Sequence, residues 1–126
     1  MSETMQPTLA VRLKTDPTGK PRFLEGKHLR HYRIVLEIEN APADAYLAQV
    51  ELDPTYADPV RNLERAPDGT FRLETTTYGD YPISVHLYRT GGYDIVLKDS
   101  VARALRRSAA SPDPATQQAL NDIARH

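Results

Sequence analysis

The sequence predicts an all-β, immunoglobulin-like antiparallel β-sandwich of seven or eight strands, with short helices at its C-terminal end. Apolar and polar residues alternate through about the first 100 residues, which is typical of strands with one buried and one solvated face. Turn-forming Pro, Gly, Asn and Asp residues separate the alternating segments, as they do between the strands of antiparallel sheets. A barrel built from the same strands is the alternative.

The alternation defines six clear strands. They centre on Leu9-Val11-Leu13, Tyr32-Ile34-Leu36-Ile38, Tyr46-Ala48-Val50-Leu52, Phe71-Leu73, Ile83-Val85-Leu87 and Tyr93-Ile95-Leu97. Two shorter candidates lie at residues 22–24 and 60–63, and Pro59 places the second of these at an edge or a strand start. Gly91-Gly92 separates the last two strands and predicts a hairpin turn. The apolar residues of these strands are expected to share one core.

The apolar period changes to that of a helix after residue 100. Ser100 or Asp99 is placed to cap a first helix, and a second helix follows the break at Pro112-Asp113-Pro114. We expect residues 1–100 to form the sandwich domain and residues 101–126 to form a helical tail. The tail is expected to cover an open end of the sandwich, and a tail that docks a partner is the alternative.

Composition excludes several classes of protein. The 126 residues include no cysteine, and the formal net charge is −1. Disulfides, thiolate metal sites and a general attraction to nucleic acid are therefore not expected. No apolar run approaches the ~20 residues of a membrane span, and the first residues lack the features of a secretory signal. We expect a cytoplasmic protein without nucleic acid or membrane partners, and the oligomeric state is left open.

Residues with catalytic or metal-binding chemistry do not form a known motif in the sequence. His28 and His31 are three residues apart, but they precede a strand and lack cysteine or carboxylate partners. Asp53 and Asp80 lie at loop tips, where aspartate commonly bonds to nearby backbone amides. We therefore predict that the protein is not an enzyme and has no catalytic residue, metal site or cofactor.

Two loops that join strands carry aromatic residues beside small polar ones. The first aromatic loop (residues 53–56) reads Asp53-Pro54-Thr55-Tyr56, and the second aromatic loop (residues 78–81) reads Tyr78-Gly79-Asp80-Tyr81. Tyr81 is in register with Ile83 and is expected to plug the end of the sandwich. Tyr56 and Tyr78 are flanked by small or turn-forming residues and are predicted at loop tips. For these two rings, an end plug and a ligand-binding site are both consistent with the composition.

At these loops the chain resembles the YEATS domain, the acyl-lysine reader, in its prokaryotic form. In that family a strand ends in His-x-Ser-Phe/Tyr, followed by a proline and a basic residue. Asp53-Pro54-Thr55-Tyr56 and Pro59-Val60-Arg61 match these segments, and Thr77-Tyr78-Gly79-Asp80-Tyr81 matches the family's Gly-aromatic-Gly/Ala-x-Phe loop. Upstream, Glu25-Gly26 and His31-Tyr32-Arg33-Ile34 resemble a Glu-Gly loop and the strand after it. The likeness covers about residues 8–100.

The resemblance implies a binding site for the flat acyl-amide of a modified lysine. Tyr56 and Tyr78 would form its aromatic walls, and the Thr55 hydroxyl with the Tyr78 or Gly79 N–H would bond the acyl carbonyl. The implied ligand-binding residues are Tyr56, Tyr78, Thr55, Gly79, Asp53 and His28. The chain departs from the family pattern at three places. Asp53 replaces a histidine, Thr77 replaces a glycine, and Lys27-His28 stands where an aromatic residue is often found.

The expected function is therefore that of a non-catalytic recognition module. Its partner would be a protein or peptide, with an acylated lysine as the ligand, in a bacterial stress or defence system. One alternative is a structural adaptor that docks other proteins through its sheet edges or tail. Another is a sensor of a small molecule or nucleotide that uses the same loops.

Overall fold

The computed structural model describes residues 6–25, 30–56, 58–109 and 112–125. The predicted site residue His28 lies outside these ranges. Within them the chain forms β1 (Thr8–Leu13), β2 (Phe23–Glu25), β3 (Arg30–Glu39), β4 (Ala45–Glu51), β5 (Val60–Glu64), β6 (Phe71–Thr77), β7 (Pro82–Arg89), β8 (Ile95–Ser100), α1 (Val101–Ser108) and α2 (Pro114–Arg125). The strands make two antiparallel sheets around one core, which confirms the predicted sandwich.

The first sheet is organised around β3, the longest strand. On one edge β3 pairs with β1 and then with β2, which lie end to end, and on its other edge it pairs with β6. Between β1 and β2 the chain makes a short excursion, in which Thr15 bridges Pro21. The second sheet has the order β5-β4-β7-β8, and all its neighbours are antiparallel.

One hydrophobic core fills the space between the sheets. Leu36, Val50, Ile83 and Val85 are fully buried in it, as the alternation predicts. Both helices contribute side chains to the same core. The buried residues are Val101, Ala104 and Leu105 of α1 and Ala119, Leu120 and Ile123 of α2. The tail therefore packs on the sandwich, while its division from the sandwich at residue 100 stays a prediction. Neither described helix is long and apolar enough to cross a membrane.

Two aromatic residues depart from the predicted strand pattern. Tyr46 was expected to share the buried face of Ala48, but the pairing with β7 shifts between Ala45 and Leu47. This irregularity buries Ala45 and leaves Tyr46 54% exposed, because an extra residue in a strand moves the preceding side chains to the other face. Tyr93 was expected to begin the last strand, but it precedes β8 and is 94% exposed.

Helix α2 is joined to the first sheet by one buried hydroxyl. The Tyr32 side chain is buried, and its hydroxyl donates to Asp122 Oδ2 at 2.6 Å. Burial, followed by the hydrogen bond to Asp122, raises the pKa of Tyr32 above its ordinary value. This contact holds α2 over the end of the sheet where β2 pairs with β3.

We expect Tyr32→Phe to lower the free energy of unfolding by about 1–2 kcal/mol, because it removes a hydrogen bond to a charged acceptor and leaves the ring in place. Urea denaturation followed by circular dichroism measures the change. Tyr46→Phe removes the hydroxyl of an exposed tyrosine and is expected to change nothing. Equal stabilities of Tyr32→Phe and wild type would show that α2 does not depend on this contact in solution.

Candidate ligand-binding site

The two aromatic loops meet at Tyr56. Its hydroxyl donates to the backbone carbonyl of Thr76, near the end of β6. Its ring packs edge-on against Tyr81, with ring centroids 5.7 Å apart and an interplanar angle of 68°. The first aromatic loop, on the second sheet, is thus tied to the second aromatic loop and to the edge of the first sheet.

Tyr56 is more constrained than a ring at a loop tip. It is partly buried and packs against the core. Thr76 lies opposite Arg33 in the β3–β6 ladder. The backbone N–H and carbonyl of Arg33 form hydrogen bonds with Arg22 and Lys14, on the side of β3 away from β6. Because backbone groups alternate between the two sides of a strand, the Thr76 carbonyl faces away from β3. Tyr56 therefore closes an open position of this sheet edge and also borders the candidate site.

Tyr81 is the plug that its register predicted. It is 7% exposed and belongs to the core. Its buried hydroxyl meets no hydrogen-bond partner of acceptable geometry in the described part of the chain, and the neighbouring Tyr56 hydroxyl gives its proton to Thr76. Burial raises the pKa of Tyr81 far above its ordinary value, and the Tyr56 hydroxyl adds to the shift.

Asp53 and Thr55 bond to each other within the first aromatic loop. Asp53 Oδ1 accepts the backbone N–H of Thr55 at 2.9 Å and its hydroxyl at 2.8 Å. The backbone hydrogen bond, followed by that of the hydroxyl, holds the pKa of Asp53 below its ordinary value. A hydroxyl has a single proton to donate. In this arrangement Thr55 therefore offers a ligand only its oxygen lone pairs.

The same aspartate–threonine contact occurs in two turns elsewhere in the chain. Asp16 Oδ1 accepts the N–H and the hydroxyl of Thr18, and Asp68 Oδ1 accepts those of Thr70. These turns belong to the β1–β2 excursion and the β5–β6 connection. The Asp53 contact is therefore a turn-closing element, which is the role expected for aspartate in loops.

Tyr78 contacts a residue that the sequence did not single out as its partner. Its partly buried ring packs edge-on against His31 of β3, with centroids 5.6 Å apart and planes at 61°. His31 stands in the segment that resembles the YEATS strand after the Glu-Gly loop. That resemblance is the feature of the sequence that could have placed His31 near the site. Tyr56 and Tyr78 thus contact different aromatic partners, Tyr81 and His31.

Thr77, the last residue of β6, stabilises the start of the second aromatic loop. It is buried, and its hydroxyl donates to the Gly79 carbonyl at 2.6 Å. The Gly79 N–H reaches the same hydroxyl oxygen at the long distance of 3.4 Å. Gly79 is itself buried, and its N–H is only weakly engaged within the loop.

Asp80 ties the second aromatic loop to helix α1. Its carboxylate accepts the Ala102 N–H at 2.9 Å, and the carbonyl of Tyr81 accepts the Val101 N–H at 3.1 Å. Ser100 completes the cap by accepting the Arg103 N–H. Asp53 and Asp80 each accept hydrogen bonds from backbone amides, as aspartates that stabilise loops do. In the described ranges no group of three His, Cys, Asp or Glu residues is arranged to hold a metal ion.

No protein-family model matches the sequence, and no curated protein matches it. The fold resembles solved structures of a yeast protein. The crystal structure of the yeast AF-9 homolog protein Yaf9 shares 18% identity, covers 82% of this chain and 73% of that chain, and superposes with a TM-score of 0.50. A structure of the Yaf9 YEATS domain bound to H3K27ac shares 18% identity over 79% of this chain and 77% of that chain, with a TM-score of 0.47. The sandwich of this chain therefore has a YEATS-like fold.

Proposed function

We propose that this protein is a non-catalytic recognition module that binds a modified lysine, or a similar flat acyl ligand, at its two aromatic loops. The observation that carries the proposal is the contact of Tyr56 with Thr76 and Tyr81, which brings the two loops together. The YEATS-like fold supports the same reading, because the family resemblance implies acyl-lysine recognition between these loops.

The chemistry of the loops suits an uncharged, planar group. Stacking on Tyr56 and Tyr78 would contribute ~0.5–1.5 kcal/mol per ring beyond the burial of surface. Acylation removes the lysine charge, and partly buried aromatic walls favour the neutral form, since desolvating an ammonium group is costly. The Thr55 proton is committed to Asp53. We therefore assign the acyl carbonyl to a backbone N–H of the second aromatic loop, that of Tyr78 or that of Gly79.

A peptide array that carries acetyl-, longer acyl-, methyl- and unmodified lysine tests the proposal. We expect acyl-lysine to be preferred and Tyr78→Ala to weaken its binding by about tenfold or more, equivalent to ~1.4 kcal/mol. Tyr56→Ala is expected to lower binding and melting temperature together, because this ring also packs against the core. Tyr93→Ala, at an exposed ring near β8, is the matched control and should change neither.

The array also separates the competing functions. A preference for unmodified or methylated lysine would contradict the acyl-ligand proposal. If no lysine peptide binds, and both alanine variants only melt earlier than wild type, the two rings are end plugs. The structural-adaptor interpretation would then replace this one.

Asp53→His is expected to strengthen acyl-lysine binding. The substitution introduces the residue of the family pattern and removes the carboxylate that holds the Thr55 proton, so the hydroxyl becomes free to donate to an acyl carbonyl. Isothermal titration with the best array peptide measures the change. Asp68→His removes the equivalent turn contact on the β5–β6 connection and should leave the affinity unchanged. An equal effect of the two substitutions would assign the change to loop stability.

A further inference from the structure

Strand β2 lies at an edge of the first sheet, where Leu24 is opposite His31, the residue whose ring contacts Tyr78. The Arg33 N–H donates to the Arg22 carbonyl at 2.9 Å, and the Arg33 carbonyl accepts the Lys14 N–H at 2.8 Å. Since backbone groups alternate along a ladder, Leu24 directs its backbone to β3, where it lies opposite His31. The N–H and carbonyl of Phe23 therefore face outward.

Two other carbonyls on the edges of this sheet accept hydrogen bonds from side chains. The Leu9 carbonyl of β1 accepts a hydrogen bond from Arg107 of α1 at 3.0 Å, and the Thr76 carbonyl of β6 accepts one from Tyr56. Among the described residues, none forms a hydrogen bond with the outward N–H or carbonyl of Phe23. An unpaired edge is a ready template for the backbone of another chain.

The side chains of β2 add apolar contact surface on both faces of this edge. Phe23 is 38% exposed and Leu24 is 50% exposed. Leu24 borders a depression of about 270 Å³, whose other walls include Lys14, Arg33 and Glu74. Phe23 borders one of about 110 Å³, whose other walls include Lys20, Arg30, Tyr32 and Gln118 of α2. Alternate side chains of an added strand would meet these two depressions.

Exposed arginines flank β2. Arg22 and Arg33 are exposed and have no ion-pair partner among the described residues. Arg30 lies over the Phe23 ring, with its guanidinium carbon 4.5 Å from the ring centroid.

Three of the acidic groups near this edge have partners, and a fourth, Glu25, belongs to β2 itself. Glu74 pairs with Lys14 at 3.3 Å. The Asp16 carboxylate accepts the amides of Thr18 and Lys20. Asp122 accepts the Tyr32 hydroxyl. An occupant with negative charge would be complementary to Arg22 and Arg33, which form no ion pair within the described part of the chain.

We propose that the β2 edge binds an extended acidic segment of a partner protein, which adds a strand to the first sheet. Its backbone would bond to Phe23, its apolar side chains would contact Phe23 and Leu24, and its carboxylates would pair with Arg22 and Arg33. Outward backbone groups and apolar anchors favour a polypeptide over a nucleic acid. The residues of this site are not those of the aromatic loops, although Leu24 lies opposite His31, which contacts Tyr78. The proposal does not depend on the function proposed for the loops.

The test uses the synthetic peptide Ac-Asp-Ile-Glu-Val-Asp-Ile-Glu-amide and a basic version in which Lys and Arg replace the acidic residues. Titration into ¹⁵N-labelled protein should shift the amide resonances of Phe23, Leu24 and Arg33 with the acidic peptide only. The affinity should fall as salt is raised, because exposed charges are screened. No shifts at these residues, equal binding of both peptides, or shifts caused instead by an oligothymidylate would each overturn the proposal.

Two pairs of variants separate the backbone contact from the charges. Phe23→Pro removes the side chain and the outward N–H, whereas Phe23→Ala removes only the side chain; proline is tolerated on edge strands where its nitrogen faces outward. We expect Phe23→Pro to bind more weakly than Phe23→Ala, and Arg33→Glu to weaken binding by about tenfold or more. Tyr56→Phe should bind like wild type. Equal affinities of the two Phe23 variants, or no loss in Arg33→Glu, would overturn strand addition at this edge.

Discussion

Replacing Val85 with aspartate is expected to unfold the protein. Val85 is fully buried at the centre of β7, where it lies between Val50 of β4 and Leu97 of β8. A carboxylate at this position would lose its water without gaining a partner, and an uncompensated buried charge costs about 3–5 kcal/mol. The lost burial of the valine side chain adds about 1.5–3 kcal/mol. The total stability of a domain is about 5–15 kcal/mol, so the two costs together are enough to unfold a domain in the lower part of that range.

The adjacent Ser84 provides a matched control. It alternates with Val85 to the opposite face of β7 and is only partly buried, so Ser84→Asp adds the same charge where water can reach it. We expect Ser84→Asp to keep the β-sheet circular dichroism and a cooperative melt, and Val85→Asp to lose both. A folded, cooperatively melting Val85→Asp protein would show that the two faces of β7 have been assigned wrongly.

Arg65 is expected to be the polar residue on which stability depends most. Its partly buried guanidinium lies 5.5 Å from the centroid of the buried Phe71 ring. It donates to five backbone carbonyls, those of Gly69, Pro42, Ala43, Ala45 and Ala41, at 2.7–3.2 Å. These contacts hold the connection between β3 and β4 against the connection between β5 and β6. One side chain therefore joins the two sheets at one end of the sandwich.

Arg65→Met should lower the free energy of unfolding by about 3 kcal/mol, since several carbonyls lose a charged donor together and hydrogen bonds of this kind contribute about 1.5–3 kcal/mol. The melting temperature should fall by roughly 10 °C. Arg65→Lys should recover only part of the loss, because an ammonium group cannot reproduce the planar fork of the guanidinium. Chemical denaturation measures both variants.

Arg61 of β5, four residues before Arg65, is the control for Arg65. Arg61 Nε donates to one exposed carbonyl, that of Asp58, at 2.6 Å, so Arg61→Met should cost about 1 kcal/mol or less. Equal costs at the two positions would show that the five contacts of Arg65 are not maintained in solution.

The sandwich could be predicted because its determinants are local in the sequence. Val85 and Ile83 lie two residues apart on one face of β7, and the burial of one face of a sheet imposes that period directly. The helical tail was predictable for a similar reason, since Ser100 is a good cap and Leu105 lies on the buried stripe of α1. Neither prediction required knowledge of which strands pair.

Contacts between distant segments could not be predicted in this way. The partners of Arg65 lie up to 24 residues away in the chain, and an arginine that follows an edge strand has the same sequence pattern whether it faces solvent or folds inward. The exposure of Tyr46 depends on a register irregularity against β7, which the alternation of β4 alone does not indicate.

The candidate site combines features that the local sequence predicts with contacts between distant segments, which it does not predict. The two loops and the burial of Tyr81 follow from strand register and turn residues. The bond from Tyr56 to Thr76, which joins the loops, depends on how the two sheets face each other. The pairing of Asp53 with Thr55 is local and recurs in the chain. However, the residue types alone do not distinguish a ligand-binding hydroxyl from one that closes a turn.

The second aromatic loop is also the N-terminal support of helix α1, since Asp80 and the Tyr81 carbonyl accept the first amides of that helix. Displacement of these residues would leave helix amides without acceptors, so the loop is preorganised by the helix that follows it. A ligand would meet a surface whose conformational entropy has already been lost during folding, which lowers the cost of association. Such a surface would bind ligands that match its shape and would bind poorly matching ligands with low affinity.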